Sequence, residues 1–170
     1  EMSASLVGSE MCIRDRRYGA DMEQALTAGL LHDCGKFCSA KDQLKLCEKK
    51  GIELTESERA MPALIHAKLG AYLARHEYGI KDEAVLNAIT YHTTGRPDMT
   101  MLEKIVYIAD YIEPNRKEIP GLAEVRRLAF TDIDEAVCRS AGAKTRYLEG
   151  GGKAVDPMTI RTYNFYKKEG

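Results

Sequence analysis

Positive charge is not in surplus here: 25 Lys and Arg stand against 26 Asp and Glu, a formal net charge of -1. That excludes the basic field on which general nucleic-acid binding depends. No apolar run approaches the roughly 20 residues needed to span a bilayer. The first residues also lack the apolar stretch of a signal peptide. Cysteine is odd in number and irregular in spacing (Cys12, Cys34, Cys38, Cys47 and Cys138). A disulfide framework is therefore not expected, and a reduced, cytoplasmic protein is. Cys34 and Cys38 could share a helix face, but small buried thiols account for them more simply. Period-2 alternation of β-branched residues is missing, as is any internal repeat. Histidine is scarce, with four in 170 residues.

What remains is helical. Apolar residues make up 44% and charged residues 30%, ordinary for one globular domain of this length. Asp21 can cap a helix through Leu26, Leu30 and Leu31 that ends at Gly35. A short amphipathic segment over 42–50 ends at Gly51. Thr55 and Glu58 have capping-box spacing and open a stretch through Met61 to His66, with Pro62 in its first turns and the helix running on to Gly79. Asp82 caps a helix carrying Val85, Leu86, Ile89 and His92. Thr100 and Glu103 form a second capping box before a helix rich in Leu102, Ile105, Val106, Ala109 and Ile112, stopped by Pro114. Further helices are predicted over 122–130 and 132–148. A last helix follows a Gly150-Gly151-Gly152 hinge and opens at Asp156-Pro157. The expectation is an all-α helical bundle with a metal site in its core.

Residues 1–16 do not share this pattern. Met11-Cys12-Ile13-Arg14-Asp15-Arg16 looks like the translation of a sequencing-library adapter, and 1–16 are set apart as an artefactual or disordered segment before a domain over 17–170.

The chemistry gathers in a few polar residues set among apolar ones. His32 and Asp33 close the apolar run Leu30-Leu31 just before Gly35, offering an imidazole and a carboxylate to one divalent metal. His66 lies in Ala63-Leu64-Ile65-His66-Ala67, with Gly70 leaving room beside it. His92 ends its helix, and Asp110 is set in Ile108-Ala109-Asp110-Tyr111-Ile112. Each alone reads as a hydrogen-bonded core residue. Together, three imidazoles and two carboxylates would need five unrelated partners, whereas a shared metal satisfies them jointly. His76, flanked by Arg75 and Glu77, reads as surface.

Five runs of residues make a resemblance specific. They are Leu30-Leu31-His32-Asp33 with Lys36; Ile65-His66-Ala67-Lys68-Leu69-Gly70-Ala71; Ala88-Ile89-Thr90-Tyr91-His92-Thr93-Thr94-Gly95-Arg96-Pro97; Met99-Thr100 with Leu102-Glu103-Lys104-Ile105; and Ile108-Ala109-Asp110-Tyr111-Ile112-Glu113-Pro114 with Arg116. Their order and wording resemble the HD-domain metal-dependent phosphohydrolases, and among these the YqeK-type hydrolases of bis(5′-nucleosyl) tetraphosphates, over about residues 17–168. The resemblance implies a metal set of His32, Asp33, His66, His92 and Asp110. In a two-metal version Asp33 bridges, with His32 and Asp110 on one ion and His66 and His92 on the other. It implies iron, with manganese as the alternative, and symmetric cleavage of diadenosine tetraphosphate to two ADP. Asp33 and Lys36 are the expected catalytic residues. Lys36, Thr93, Thr94, Arg96 and Arg116 are the expected substrate-binding residues for a dinucleoside polyphosphate or other nucleotide. A homodimer stays open. The resemblance further implies a ligand histidine on a helix before Tyr18. No histidine stands between Glu1 and Tyr18, so the expectation is a chain short of one ligand and one core helix, with activity reduced. The alternatives are an HD hydrolase of nucleoside monophosphates or of a guanosine alarmone, which products would separate, and a regulatory HD domain with a vestigial site, which metal content would separate.

Overall fold

The structure, a computed structural model, describes residues 18–116 and 119–167. The predicted break at residues 1–16 lies outside them. Among the described residues every regular element is helical, as the sequence predicts. In chain order these are α1 (Met22–Leu31), α2 (Ala40–Lys50), α3 (Glu56–Ala60), α4 (Ile65–His76), α5 (Glu83–Tyr91), α6 (Met101–Tyr111), α7 (Leu122–Leu128), α8 (Ile133–Gly150) and α9 (Pro157–Tyr166). Short 3-10 turns stand at Cys34–Lys36 and Pro62–Leu64.

Most starts are chemically marked. Asp21, Ser39, Thr55, Asp82, Thr100, Asp132 and Asp156 each accept a backbone N–H of the turn they precede, satisfying donors that a helix cannot use itself. Both predicted capping boxes form. Gly51 ends α2 in the left-handed region at φ 68, where a side chain would be strained.

Most ends shift by one to three residues, the helix predicted to stop at 148 running on to Gly150, and two boundaries differ for a structural reason. The helix opened by Thr55 closes at Ala60, because Met61 precedes Pro62 and is driven out of the helical region to φ −121, ψ 76. Pro62 thus separates α3 from α4 instead of sitting in the first turns of one long helix. Likewise α1 stops at Leu31, not at Gly35. The chain tightens into the Cys34–Lys36 turn, and Gly35 serves close packing instead of capping. A Cβ on Gly35 would lie 2.2 Å from the His66 carbonyl oxygen and 2.9 Å from the Gly70 nitrogen.

α6 is the central helix. Leu102, Glu103, Ile105, Val106, Tyr107, Ile108, Ala109 and Tyr111 are all buried, so it is enclosed on all sides. It packs on α1, α5 and α8. Full burial of Ile105 or Ile108 contributes about 1.5–3 kcal/mol each. α8 in turn carries α7 and α9, and the Met99 N–H donates to the Tyr166 hydroxyl at 2.8 Å, tying the end of α9 to the start of α6. A second small core of Cys47, Ile65 and Leu69 joins α2 to α4. The result brings the ends of α1 and α5, the start of α4 and the end of α6 to one place.

Candidate metal centre

The three apolar-segment histidines stand at or beside helix termini. His32 and His92 are the residues just beyond α1 and α5, and His66 lies in the first turn of α4. Each ring reaches back to a carbonyl three residues earlier. Nδ1 lies 2.7 Å from the Gly29 oxygen in His32, 2.8 Å from the Ala63 oxygen in His66 and 2.7 Å from the Ile89 oxygen in His92. A carbonyl only accepts, so Nδ1 carries the proton in all three and Nε2 presents a lone pair. This backing of an imidazole by a backbone carbonyl is how metal-ligand histidines are held in one tautomer and one orientation.

The three Nε2 atoms converge on Asp33. Its Oδ1 lies 3.4 Å from His66 Nε2 and 3.5 Å from His92 Nε2, and its Oδ2 lies 3.5 Å from His32 Nε2. His32 Nε2 is also 3.8 Å from Asp110 Oδ1. All five residues of the predicted set are therefore brought together. The Nε2 atoms of His66 and His92 stand 3.1 Å apart. With both protons on Nδ1, two lone pairs face each other there, an arrangement that a cation relieves. Lys36 Nζ is 2.8 Å from each Asp33 oxygen, yet buried Oδ1 accepts no well-directed hydrogen bond. Ligand atoms of His32, Asp33 and His92 all fall within 4.8 Å of one another. Convergent imidazole lone pairs around an unsatisfied carboxylate oxygen fit a divalent metal of the first transition row.

Charge is tuned to match. Desolvation disfavours ionisation of Asp33, but the hydrogen bonds and charge around it, with the Lys36 ammonium at 2.8 Å the permanent cation, outweigh it and hold the carboxyl well below the usual range. Burial, reinforced by His92 and Lys36, lowers His66 to about 4, keeping the ring neutral.

The remaining predicted residues divide. Arg116 joins the site: its guanidinium donates to the Asp110 carbonyl at 3.0 Å and lies 3.7 Å from the Asp110 carboxylate. Arg96 is held elsewhere, by a bidentate pair with buried Glu103 at 2.7 and 2.9 Å. Glu103 also accepts from the Thr100 N–H. Thr94 donates to the Gly95 carbonyl and lines a cavity of about 260 Å³ with Ser57, Lys68, Tyr91 and Arg161, which no metal-set residue lines. Thr93 contributes its carbonyl, which accepts from Lys144 Nζ at 2.8 Å. Cys34 donates its thiol to the Gly70 carbonyl, and burial keeps it protonated. His76 is exposed and stacks on Tyr72.

Lys144 has no counterpart in the sequence reading. Its ammonium lies 4.3 Å from the Tyr107 ring centre and 5.6 Å from that of Tyr111. Burial pushes it down to about 8, against the pull of Asp110 and with the push of Arg116. A signal existed: Ile133, Val137 and Ser140 are buried at helical spacing along α8, and Lys144 falls where that stripe continues.

The HD-domain family model matches residues 6–115. The chain is 44% identical over 151 residues to the symmetrical bis(5′-nucleosyl)-tetraphosphatase of Bacillus subtilis, covering 88% of this chain and 79% of that protein. It is 37% identical to the protein of the same name from Staphylococcus aureus over 153 residues, 88% and 77% of the two chains. The crystal structure of a predicted HD superfamily hydrolase involved in NAD metabolism, from Clostridium acetobutylicum, superposes with a TM-score of 0.90 at 39% identity, covering 96% of this chain and 86% of that one. With the family model spanning more than half the sequence and relatives this similar over most of its length, this chain belongs to the HD-domain family.

Proposed function

We infer that the chain is a divalent-metal hydrolase that cuts bis(5′-nucleosyl) tetraphosphates at the central anhydride, releasing two nucleoside diphosphates. The observation that carries this is the convergence of three Nδ1-anchored imidazoles on Asp33, with Asp110 alongside, in a chain whose close relatives bear the name of that activity. His32, Asp33, His66, His92 and Asp110 are the residues that would hold the metal. Bound there, it acidifies water and polarises a phosphoryl oxygen. The imidazole-rich donor set suits iron or manganese better than magnesium, and iron is the assignment proposed.

The chain's own groups then have separate tasks. Water oxygen bonds to one of the two central phosphorus atoms while the bridging P–O bond breaks, and the leaving diphosphate takes a proton. Asp33 stays ionised at neutral pH and orients the metal-binding set. Lys36, held against Asp33 at 2.8 Å, sets a positive charge where the phosphoryl oxygens gather negative charge in the transition state. Arg116, with 34% of its side chain exposed, offers a guanidinium to a phosphate. Among the described residues no helix is long and apolar enough to cross a membrane. Cys34, Cys38, Cys47 and Cys138 are free thiols, which suits a reducing cytoplasm.

Chromatographic product analysis tests the proposal: the purified chain is incubated with iron(II) and diadenosine tetraphosphate, with Asp33→Ala as control. Two ADP per substrate, lost in the variant, is the expected result. ATP plus AMP would assign an asymmetric hydrolase instead. Full activity in Asp33→Ala would overturn the mechanism.

A further inference from the structure

Lys144 is a half-buried ammonium without an ion-pair partner. Among the described residues no carboxylate lies within 4.0 Å of it; its one hydrogen bond goes to the Thr93 carbonyl. An ammonium has three N–H donors, so two are unspent. It is held in position by aromatic faces, Tyr107 at 4.3 Å and Tyr111 at 5.6 Å. The same Tyr111 ring also carries Arg116, whose guanidinium carbon lies 5.5 Å from its centre. Arg116 leaves 34% of its side chain exposed. Tyr111 itself is 1% exposed, and its hydroxyl has no partner among the described residues. Two cations from different parts of the chain are thus mounted on one buried ring that directly follows Asp110. Asp110 lies 3.7 Å from Arg116, so two cations share one carboxylate and the place stays short of negative charge until an anion arrives.

We propose that Lys144 and Arg116 form a phosphate cradle over Tyr111, on the Asp110 side of the centre, that binds the polyphosphate chain of the substrate. This rests on the proposed hydrolysis of dinucleoside tetraphosphates, and it deepens that reading by adding a binding residue from α8. Lys36 lies against Asp33, so the cradle and Lys36 present positive charge on two sides of the histidine cluster. A substrate with about four phosphates is matched by a site that is cationic at both ends.

Calorimetric titration of the full, metal-free chain with inorganic tripolyphosphate reads the cradle apart from turnover. Lys144→Gln is expected to weaken binding by about 10- to 100-fold, the loss of a hydrogen bond to a charged group. Lys144→Arg, which keeps the charge, is expected to stay within about threefold, a difference under 1 kcal/mol. With diadenosine tetraphosphate, Lys144→Gln raises KM more than it lowers kcat, with metal content and Tm unchanged. Unaltered tripolyphosphate affinity in Lys144→Gln, or a wild-type chain that does not bind tripolyphosphate, overturns the cradle. A variant that loses Tm and metal while keeping its anion affinity also overturns it, since Lys144 would then merely pin the turn at Thr93. Weakened tripolyphosphate binding alongside no wild-type hydrolysis of the dinucleotide would uphold the cradle and sink the assigned reaction.

Discussion

Gly35→Ala is the substitution that most sharply tests how the centre is built. The added Cβ would stand 2.2 Å from the His66 carbonyl oxygen, 2.9 Å from the Gly70 nitrogen and 3.0 Å from the His66 carbonyl carbon. All three are backbone atoms of α4, so no side chain can swing aside. Ordinary contact begins near 3.4 Å, which means the 3-10 turn and α4 must separate by about 1 Å. Overpacking of this kind costs about 1–3 kcal/mol, and the upper end applies because only backbone can yield. For a chain of this size that is a Tm loss of roughly 6–12 °C. The shift falls between Asp33 with Lys36 on one side and His66 on the other, and misplacement of about 1 Å in a reacting constellation is worth about 100-fold in rate. Scanning calorimetry, metal analysis and turnover on the same preparation measure all three. A Gly35→Ala protein that melts within about 2 °C of the parent, less than 1 kcal/mol, with full metal content and turnover, would refute the close approach.

Three further outcomes follow from the same structure. Arg96→Ala strands the buried Glu103 carboxylate with only the Thr100 N–H, and is expected to cost about 3 kcal/mol in urea denaturation, the low end for a buried pair because Arg96 is partly exposed; a raised KM with unchanged stability would instead make Arg96 a phosphate ligand. Asp156→Ala removes the cap on the Met158 N–H at 2.8 Å and the acceptor for the Ser57 hydroxyl, which joins α3 to α9. A loss of about 1–3 kcal/mol is expected, mostly recovered in Asp156→Asn, and an unmoved urea midpoint would count against it. The pH dependence of the metal-free chain follows from His66, whose folded value of about 4 lies below its ordinary 6.5. The unfolded chain binds the proton first, so the stability held above pH 6.5 is lost as pH falls through 4. A urea midpoint flat across that window would contradict the burial assigned to the ring.

Much of this was legible from the sequence because the signals are local. Asp21, Asp82 and Thr100 mark helix starts by side-chain chemistry that acts within three residues, and the starts fall there. The five metal-set residues were legible as a group because polar side chains inside apolar helical runs need a joint explanation. What was not legible depends on elements meeting from afar. Nothing near Gly35 reveals that the His66 carbonyl will lie against it, so it reads as a helix stop. Arg96 reads as a free cation in a turn because its claim on Glu103 exists only once Thr100 opens α6. Lys144 looks like one more solvated lysine until Tyr107, Tyr111 and the Thr93 carbonyl close around it. Pro62 was visible but misweighed: its effect on Met61 was stronger than the helical pattern running through it.

The anchoring of His32, His66 and His92 to carbonyls three residues back has a kinetic consequence. Those carbonyls belong to Gly29, Ala63 and Ile89, in the closing turns of α1 and α5 and in the 3-10 turn that leads into α4. Terminal turns open far more often than the enclosed middle of a helix such as α6. Release of an ion held by these three rings would then be paced by fraying at these three places, without any breathing of the central core. Amide hydrogen exchange in these turns is the clock for it: loading the centre slows exchange at the ends of α1 and α5 while leaving that of Ile105 and Ile108 unchanged.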